Sequence, residues 1–525
     1  MKNSFCSLLA ALCLLAAPGA QAQGAENFRV ANGTWVVESE LNGKPGRGLG
    51  LEVTSQNLLI LQVYNYRADG SPTFHLASGA MDGNRFTGPL VAFRGGRYFG
   101  SPPLVGVVDN VAGNVSVAFT SADTGVIQFP GEEPVKIARF YFDGRNPEQL
   151  ISENIPDEGV TYMGFKAAEP GAHSVRFGAV LGRKTATNGS LIPDRFRSAS
   201  LQFSTVNAAT GELESQSFSN VQCAATLTRN LFRCSLDASG SNGAWLHVLG
   251  DRLELRWKGD TYVAVVNTTS FGSFAQPTTG TWIVEDEVNG KPGRGMLIDV
   301  QNDAVVAQIY NYEVQGDATF HLMSNSRRLS KQVTGELVAY QGGRYFGSAA
   351  REGWQRNVPG MVDIAFDSWN SGTIRFPGEP AKKIVAFDAL LNKGALESLL
   401  GHWLFTTTRG GSQPALTVDK HLSTVRNGFA STAGGEFQCH FPGYDPDTPN
   451  QVMCLEGGTP NAAGGMRFER YYLFDMRHNA VVTGRWGRMN ADGTPNEFVA
   501  GLVQAVQYRD AHGRGWSSGK AVFPD

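Results

Sequence analysis

The sequence predicts an all-β protein made of tandem small antiparallel barrels or sandwiches, arranged as an A-B-A′-B′ duplication. Three observations predict it. A stretch of unusual composition occurs twice: Gly33 to Gly48 reads GTWVVESELNGKPGRG and Gly280 to Gly295 reads GTWIVEDEVNGKPGRG. The copies stay in step well beyond that stretch: LQVYNY at Leu61 returns as AQIYNY at Ala307, TFHL at Thr73 returns at Thr319, GGRYFG at Gly95 returns at Gly342, and FPGE at Phe129 returns at Phe376. Agreement of this kind marks internal duplication rather than shared composition. Finally, abundant Gly, with Phe, Val and Thr recurring in short runs, favours short strands and tight turns over long helices.

In chain order, residues 1–22 read as a secretory signal peptide. Lys2 precedes an apolar run from Leu8 to Ala17, and Ala20-Gln21-Ala22 supplies the cleavage signal before Gln23. The run is far short of the roughly 20 residues that a spanning helix needs. An exported protein, periplasmic or extracellular, with no membrane-spanning segment in the mature chain, is therefore expected. Loss of Lys2 takes the formal charge from −3 to −4. There is no clustered basic footprint, so nucleic acid is not an expected partner.

Unit A spans 28–145. Its first strand places Trp35 and Val37 on one side and Thr34 and Val36 on the other, and Asn42-Gly43 then supplies a turn. The next hairpin is the most informative. Leu59, Leu61, Val63 and Asn65 alternate with Gln62, Tyr64 and Tyr66, and symmetric closure of the loop puts Tyr66 opposite Thr73 and Tyr64 opposite His75. The second copy predicts Tyr312 opposite Thr319 and Tyr310 opposite His321. Short strands follow at Gly88 to Phe93, Asn114 to Thr120, Gly125 to Phe129 and Val135 to Phe142, and Asn146 to Glu158 reads as a linker.

Unit B covers 159–267, unit A′ 276–389 and unit B′ 397–510. Leu390 to Leu400 is the best helical stretch, and it runs into Gly401-His402-Trp403, a third G-x-W opening. With Cys6 and Cys13 in the signal, the remaining cysteines pair by proximity as Cys223 with Cys234 and Cys439 with Cys454, one disulfide in each half. No histidine lies at ligand spacing beside either pair, so a metal site is the weaker reading.

Two family resemblances follow from these strings. The G-x-W opening, with a basic residue in the closing strand such as Arg139 or Lys383, resembles the signature of calycin barrels, the lipocalin and avidin group. That likeness implies a Trp packed across the barrel floor against the basic side chain. The fuller pattern of G-T-W, P-G-R-G, Y-x-Y-x-x-x-G and T-F is similar to a repeat of secreted bacterial proteins with no established activity. It implies an exported β-domain and carries over no catalytic residue.

Gly515-Trp516-Ser517-Ser518-Gly519 matches G-x-S-x-G, but too little chain follows it for the acid and histidine of a nucleophile elbow. Asp445-Pro446-Asp447 lacks the Gly and Glu of a calcium loop. No cofactor and no metal are expected. The duplicated face of Tyr64, Tyr66 and His75, with Tyr310, Tyr312 and His321, is the candidate ligand site, because Tyr and His within hydrogen-bonding reach can share proton-transfer work. The competing reading is a polar ladder that serves stability. Arg47 and Arg294 could meet an anionic ligand or simply pair with Glu38 or Glu40 and their counterparts, while Trp35, Trp282, Phe74 and Phe320 read as core. The leading expectation is non-catalytic binding, of a small apolar or amphipathic ligand inside the A-type barrels or of a cell-surface partner. The alternatives are a hydrolase or isomerase at a barrel mouth with His75 or His321 as base, and a structural envelope or matrix protein.

Overall fold

A computed structural model describes residues 28–141, 160–266, 277–391 and 395–514, apart from several internal stretches. The signal segment, the linker Asn146 to Glu158 and the Gly515 to Gly519 string lie outside the described residues. The fold is all-β as expected. Its described α-helix, Phe387–Leu391, has five residues.

Unit A is a closed eight-stranded barrel: β1 Gly33–Val37, β2 Gly48–Val53, β3 Leu58–Tyr66, β4 Pro72–Ala80, β5 Arg85–Arg94, β6 Val107–Phe119, β7 Thr124–Gln128 and β8 Val135–Arg139. Each strand pairs with the next, and β1 closes on β8 with Trp35 opposite Arg139. Period-two alternation sends Trp35, Leu49, Leu51, Leu59, Leu61 and Val63 inward, where they are fully buried in one core. The A′ unit repeats this plan. It closes through Trp282 opposite Ala386 on one side and His321 opposite Ala339 on the other. Unit B is a second closed barrel, Val160–Lys166 to Asp260–Val266, and B′ is a nine-stranded sheet from Gly401–Thr408 to Pro495–Asp510.

The G-x-W opening is one local device used three times. Trp35, Trp282 and Trp403 are buried, and each indole N–H donates to the carbonyl four residues earlier, on Ala31, Thr278 and Leu399 at 2.9, 3.1 and 2.8 Å. Both disulfides form between directly opposed cysteines of neighbouring strands, Cys223 with Cys234 and Cys439 with Cys454.

Three expectations need correction. The stretch Leu390 to Leu400 is not one helix: the α-helical turn ends at Leu391, and a separate 3-10 turn spans Leu396–Leu399. Ala395 is extended ahead of that turn, and Leu399 is buried in the B′ core. Lys383 is not the counterpart of Arg139. It is exposed, and Ala386 holds the position opposite Trp282. Lastly, the first hairpin pairs one residue away from symmetric closure, with Tyr64 opposite Phe74, Asn65 opposite Thr73, Tyr66 opposite Pro72 and Val63 opposite His75. The second copy shows the same register, with Tyr310 opposite Phe320 and Ile309 opposite His321. A one-residue slip moves a side chain to the other face, so the tyrosines and histidines lie on opposite sides of the barrel wall.

Candidate functional site

Barrels A and A′ face each other through their β3–β4 hairpins, and the contacts are reciprocal. Outward-pointing Tyr64, Tyr66 and Phe74 form one buried cluster with Tyr310, Tyr312 and Phe320. Phe74 lies 5.0 Å from Tyr310 and Phe320 5.3 Å from Tyr64, ring centre to ring centre. Phe74 and Phe320 are thus buried as expected, but between the barrels rather than inside them. Four polar contacts cross this joint in the same reciprocal fashion, while the buried Tyr66 and Tyr312 hydroxyls have no hydrogen-bond partner among the described residues. Gln308 Nε2 donates to Thr34 Oγ1 at 2.7 Å and Gln62 Nε2 to Thr281 Oγ1 at 3.2 Å. The Thr34 amide donates to Asp299 Oδ2, and the Thr281 amide to Glu52 Oε2, both at 2.7 Å.

The repeated GGRYFG loops hold the pair closed. The Gly342 amide donates to the Gly70 carbonyl at 2.8 Å and the Gly95 amide to that of Gly316 at 2.7 Å, so each loop crosses to the other barrel. Gly343 is required by the ring of Tyr66, which would stand 2.0 Å from a Cβ there; Gly96 meets Tyr312 in the same way. Further along the loop, Phe346 enters the core of barrel A against Phe129, and Phe99 enters barrel A′ against Phe376. Arg344 then reaches Glu40 and Glu132, while Arg97 reaches Glu287 and Glu379.

The histidines sit inside, under these plugs. The His75 ring is 5.1 Å from Phe346, and the His321 ring is 5.1 Å from Phe99. An amide oxygen faces each Nδ1, Asn65 Oδ1 at 3.1 Å and Asn311 Oδ1 at 3.0 Å, so Nδ1 carries the proton and donates. Burial, with the charges of Arg67 and Arg356 adding to it, pulls both imidazoles down to about 4. They are neutral at physiological pH. Burial likewise raises the phenols of Tyr64, Tyr66, Tyr310 and Tyr312.

Arg47 and Arg294 take the pairing role. Arg47 is buried between Glu40 and Glu132 at 2.5 and 2.7 Å, and Arg294 between Glu287 and Glu379 at 2.6 Å each. Their guanidinium carbons also lie 4.3 and 4.4 Å from the ring centres of Phe129 and Phe376. Burial alone would depress these guanidinium groups, but the two carboxylates outweigh it and raise them. Each arginine therefore fastens its barrel's rim.

Sequence reasoning brought together the right strings but not the right neighbours. It missed Glu52, Asp299, Phe99 and Phe346. The duplication of GGRYFG was the available signal, since an Arg-aromatic loop retained twice implies a retained contact. The described residues hold no group of three or more His, Cys, Asp or Glu side chains able to bind a metal, and no helix long and apolar enough to cross a membrane. A cavity of about 220 Å³ lies under barrel A, lined by Phe28, Val53, Met81, Asn57 and Arg514 among others. The Arg514 guanidinium there is engaged by Asp510 and Asn57.

No family model and no curated protein matches the chain. Among solved structures, the DNA polymerase sliding clamp of Bacillus subtilis aligns over 63% of this chain and 91% of the clamp at 8% identity, with a TM-score of 0.10. A sliding clamp of Pseudomonas aeruginosa gives 67% and 93% coverage at 8% identity and a TM-score of 0.09. Likenesses this slight carry no argument about fold or function.

Proposed function

We propose that this chain is an exported, non-catalytic structural protein of the envelope or an extracellular matrix, acting through its outer surface. The observation that carries this reading is the reciprocal packing of Phe346 onto the core of barrel A and of Phe99 onto the core of barrel A′. The candidate tyrosines are spent on the joint between barrels, and each candidate histidine is a buried neutral group held by an amide. General base catalysis needs a group near its midpoint and in reach of substrate, and His75 and His321 meet neither condition. The two disulfides suit an oxidising compartment. The resemblance of the A-type units to secreted bacterial repeats supports the same reading.

The test is direct. Mature protein isolated from its natural source without denaturant is extracted with organic solvent, and the extract is analysed by mass spectrometry. The structural reading predicts no small molecule at stoichiometric level. One equivalent per chain of an apolar compound, released in step with barrel unfolding, would refute it.

A further inference from the structure

The reciprocal joint relates A to A′ by an approximate twofold, which carries one exposed strand edge onto another. In β6, residues 107–111 pair with β5 on one side, while β7 begins pairing only at Ser116. The outer side of 107–111 therefore has no strand partner among the described residues. The equivalent stretch of A′ is Trp354 to Val358. Trp354 and Gln355 pair with Gln341 and Tyr340, and the next described strand on the outer side pairs only from Asp363. Unpaired edges are templates for another strand.

Both edges are apolar where a soluble protein usually places charge. Val107, Val108 and Val111 are 50–57% exposed, and Trp354 and Val358 are 54% and 40% exposed. Each edge carries one charge, at its centre, and the two charges are opposite: Asp109 in the first and Arg356 in the second. Each sits at the extra residue of a bulge. Asp109 is skipped between Ala92 opposite Asn110 and Phe93 opposite Val108, and both Arg356 and Asn357 face Ala339. Their present partners, Arg94 at 3.3 Å and Glu313 at 3.8 Å, form exposed pairs of little energetic weight.

We infer that the Val107–Val111 edge of one copy docks antiparallel on the Trp354–Val358 edge of a second copy of this chain, with Asp109 against Arg356. That alignment sets Val107 against Val358 and Val111 against Trp354, so apolar residues flank the ion pair on both sides. Like edges dock badly, because the same register puts Asp109 on Asp109 or Arg356 on Arg356. Docking of unlike edges is a heterologous contact, which yields a ring or an open series of copies. The inference deepens the structural reading by naming the chain itself as the partner.

Sedimentation velocity on the full mature chain, over a concentration series at low and high salt, tests it. Wild type is expected to associate. Asp109→Arg alone and Arg356→Asp alone should each weaken association by roughly tenfold at low salt, and the double exchange should restore it. Both positions are exposed, and unchanged thermal unfolding would confirm intact folding. A wild type that stays monomeric, an association indifferent to either reversal, or a double exchange that fails to restore it would each overturn the inference. The structural reading fails separately, on a stoichiometric ligand in the solvent extract.

Discussion

Glu52 should make the A–A′ joint lose stability as pH rises from acid toward about 8, because the twofold is broken at this position. Its counterpart Asp299 is buried and paired with Arg139 at 2.6 Å. In the other half-site Ala386 replaces that arginine, since Trp35 faces Arg139 but Trp282 faces Ala386. The groups facing Glu52 are the Thr281 amide, the Asp388 carboxylate and the Tyr310 phenol, none of them cationic. Burial first, then the Asp388 charge, lifts Glu52 from 4.5 to about 8, against the opposing pull of the Thr281 hydrogen bonds. The unfolded chain releases this proton near 4.5 and the folded chain keeps it to about 8. The stability tied to that proton is therefore full below 4.5 and is lost as pH rises through 8. At about 1.36 kcal/mol per pH unit, that span corresponds to roughly 4 to 5 kcal/mol. The perturbation is Glu52→Gln, which keeps the shape and removes the titration. Urea unfolding of both proteins, followed by tryptophan fluorescence from pH 5 to 9, gives the difference. Wild type should lose ground to the variant by several kcal/mol across that range. A difference that stays constant with pH would show that Glu52 does not titrate between the two states as described.

Other outcomes follow from the same geometry. Gly343→Ala places a methyl 2.0 Å from the Tyr66 ring and should destabilise the joint by about 1–3 kcal/mol, read as a lowered unfolding midpoint. Because His75 and His321 fall from 6.5 to about 4 on folding, their stabilisation is present above 6.5 and lost as pH falls through 4. Replacing both by Gln should therefore flatten the acid side of the stability profile measured from pH 7 to pH 4. Reduction of Cys223–Cys234 and Cys439–Cys454 should cost about 3 kcal/mol in each unit and appear as earlier thermal unfolding with reductant.

What could be read in advance followed from local rules. The period-two alternation of Trp35 and Val37, or of Leu59, Leu61 and Val63, needs only a barrel with one inner face, and the core formed as that pattern required. Cys223 and Cys234, or Cys439 and Cys454, needed only a short separation in a strand-rich chain. The Tyr and His face failed for an equally local reason. Leu58–Tyr66 and Pro72–Ala80 pair one residue away from symmetric loop closure, and a single residue reverses which face a side chain joins. The Leu390 to Leu400 stretch is not one helix because the backbone is extended at Ala395, between its two turns.

The duplication, the all-β class of small barrels or sandwiches, the buried Trp35 and Trp282 and the cysteine pairing were legible from the amino-acid order, because each depends on residues near one another in the chain. Folding in three dimensions set what the order of residues could not: Phe346 packs onto the first barrel's core and Phe99 onto the second's, the tyrosines meet across the joint, and Glu52 lacks the cation Asp299 has. Those contacts join residues more than a hundred positions apart. A repeated string records that both copies kept a feature, but it does not say whether the partner lies in the same copy or in the other.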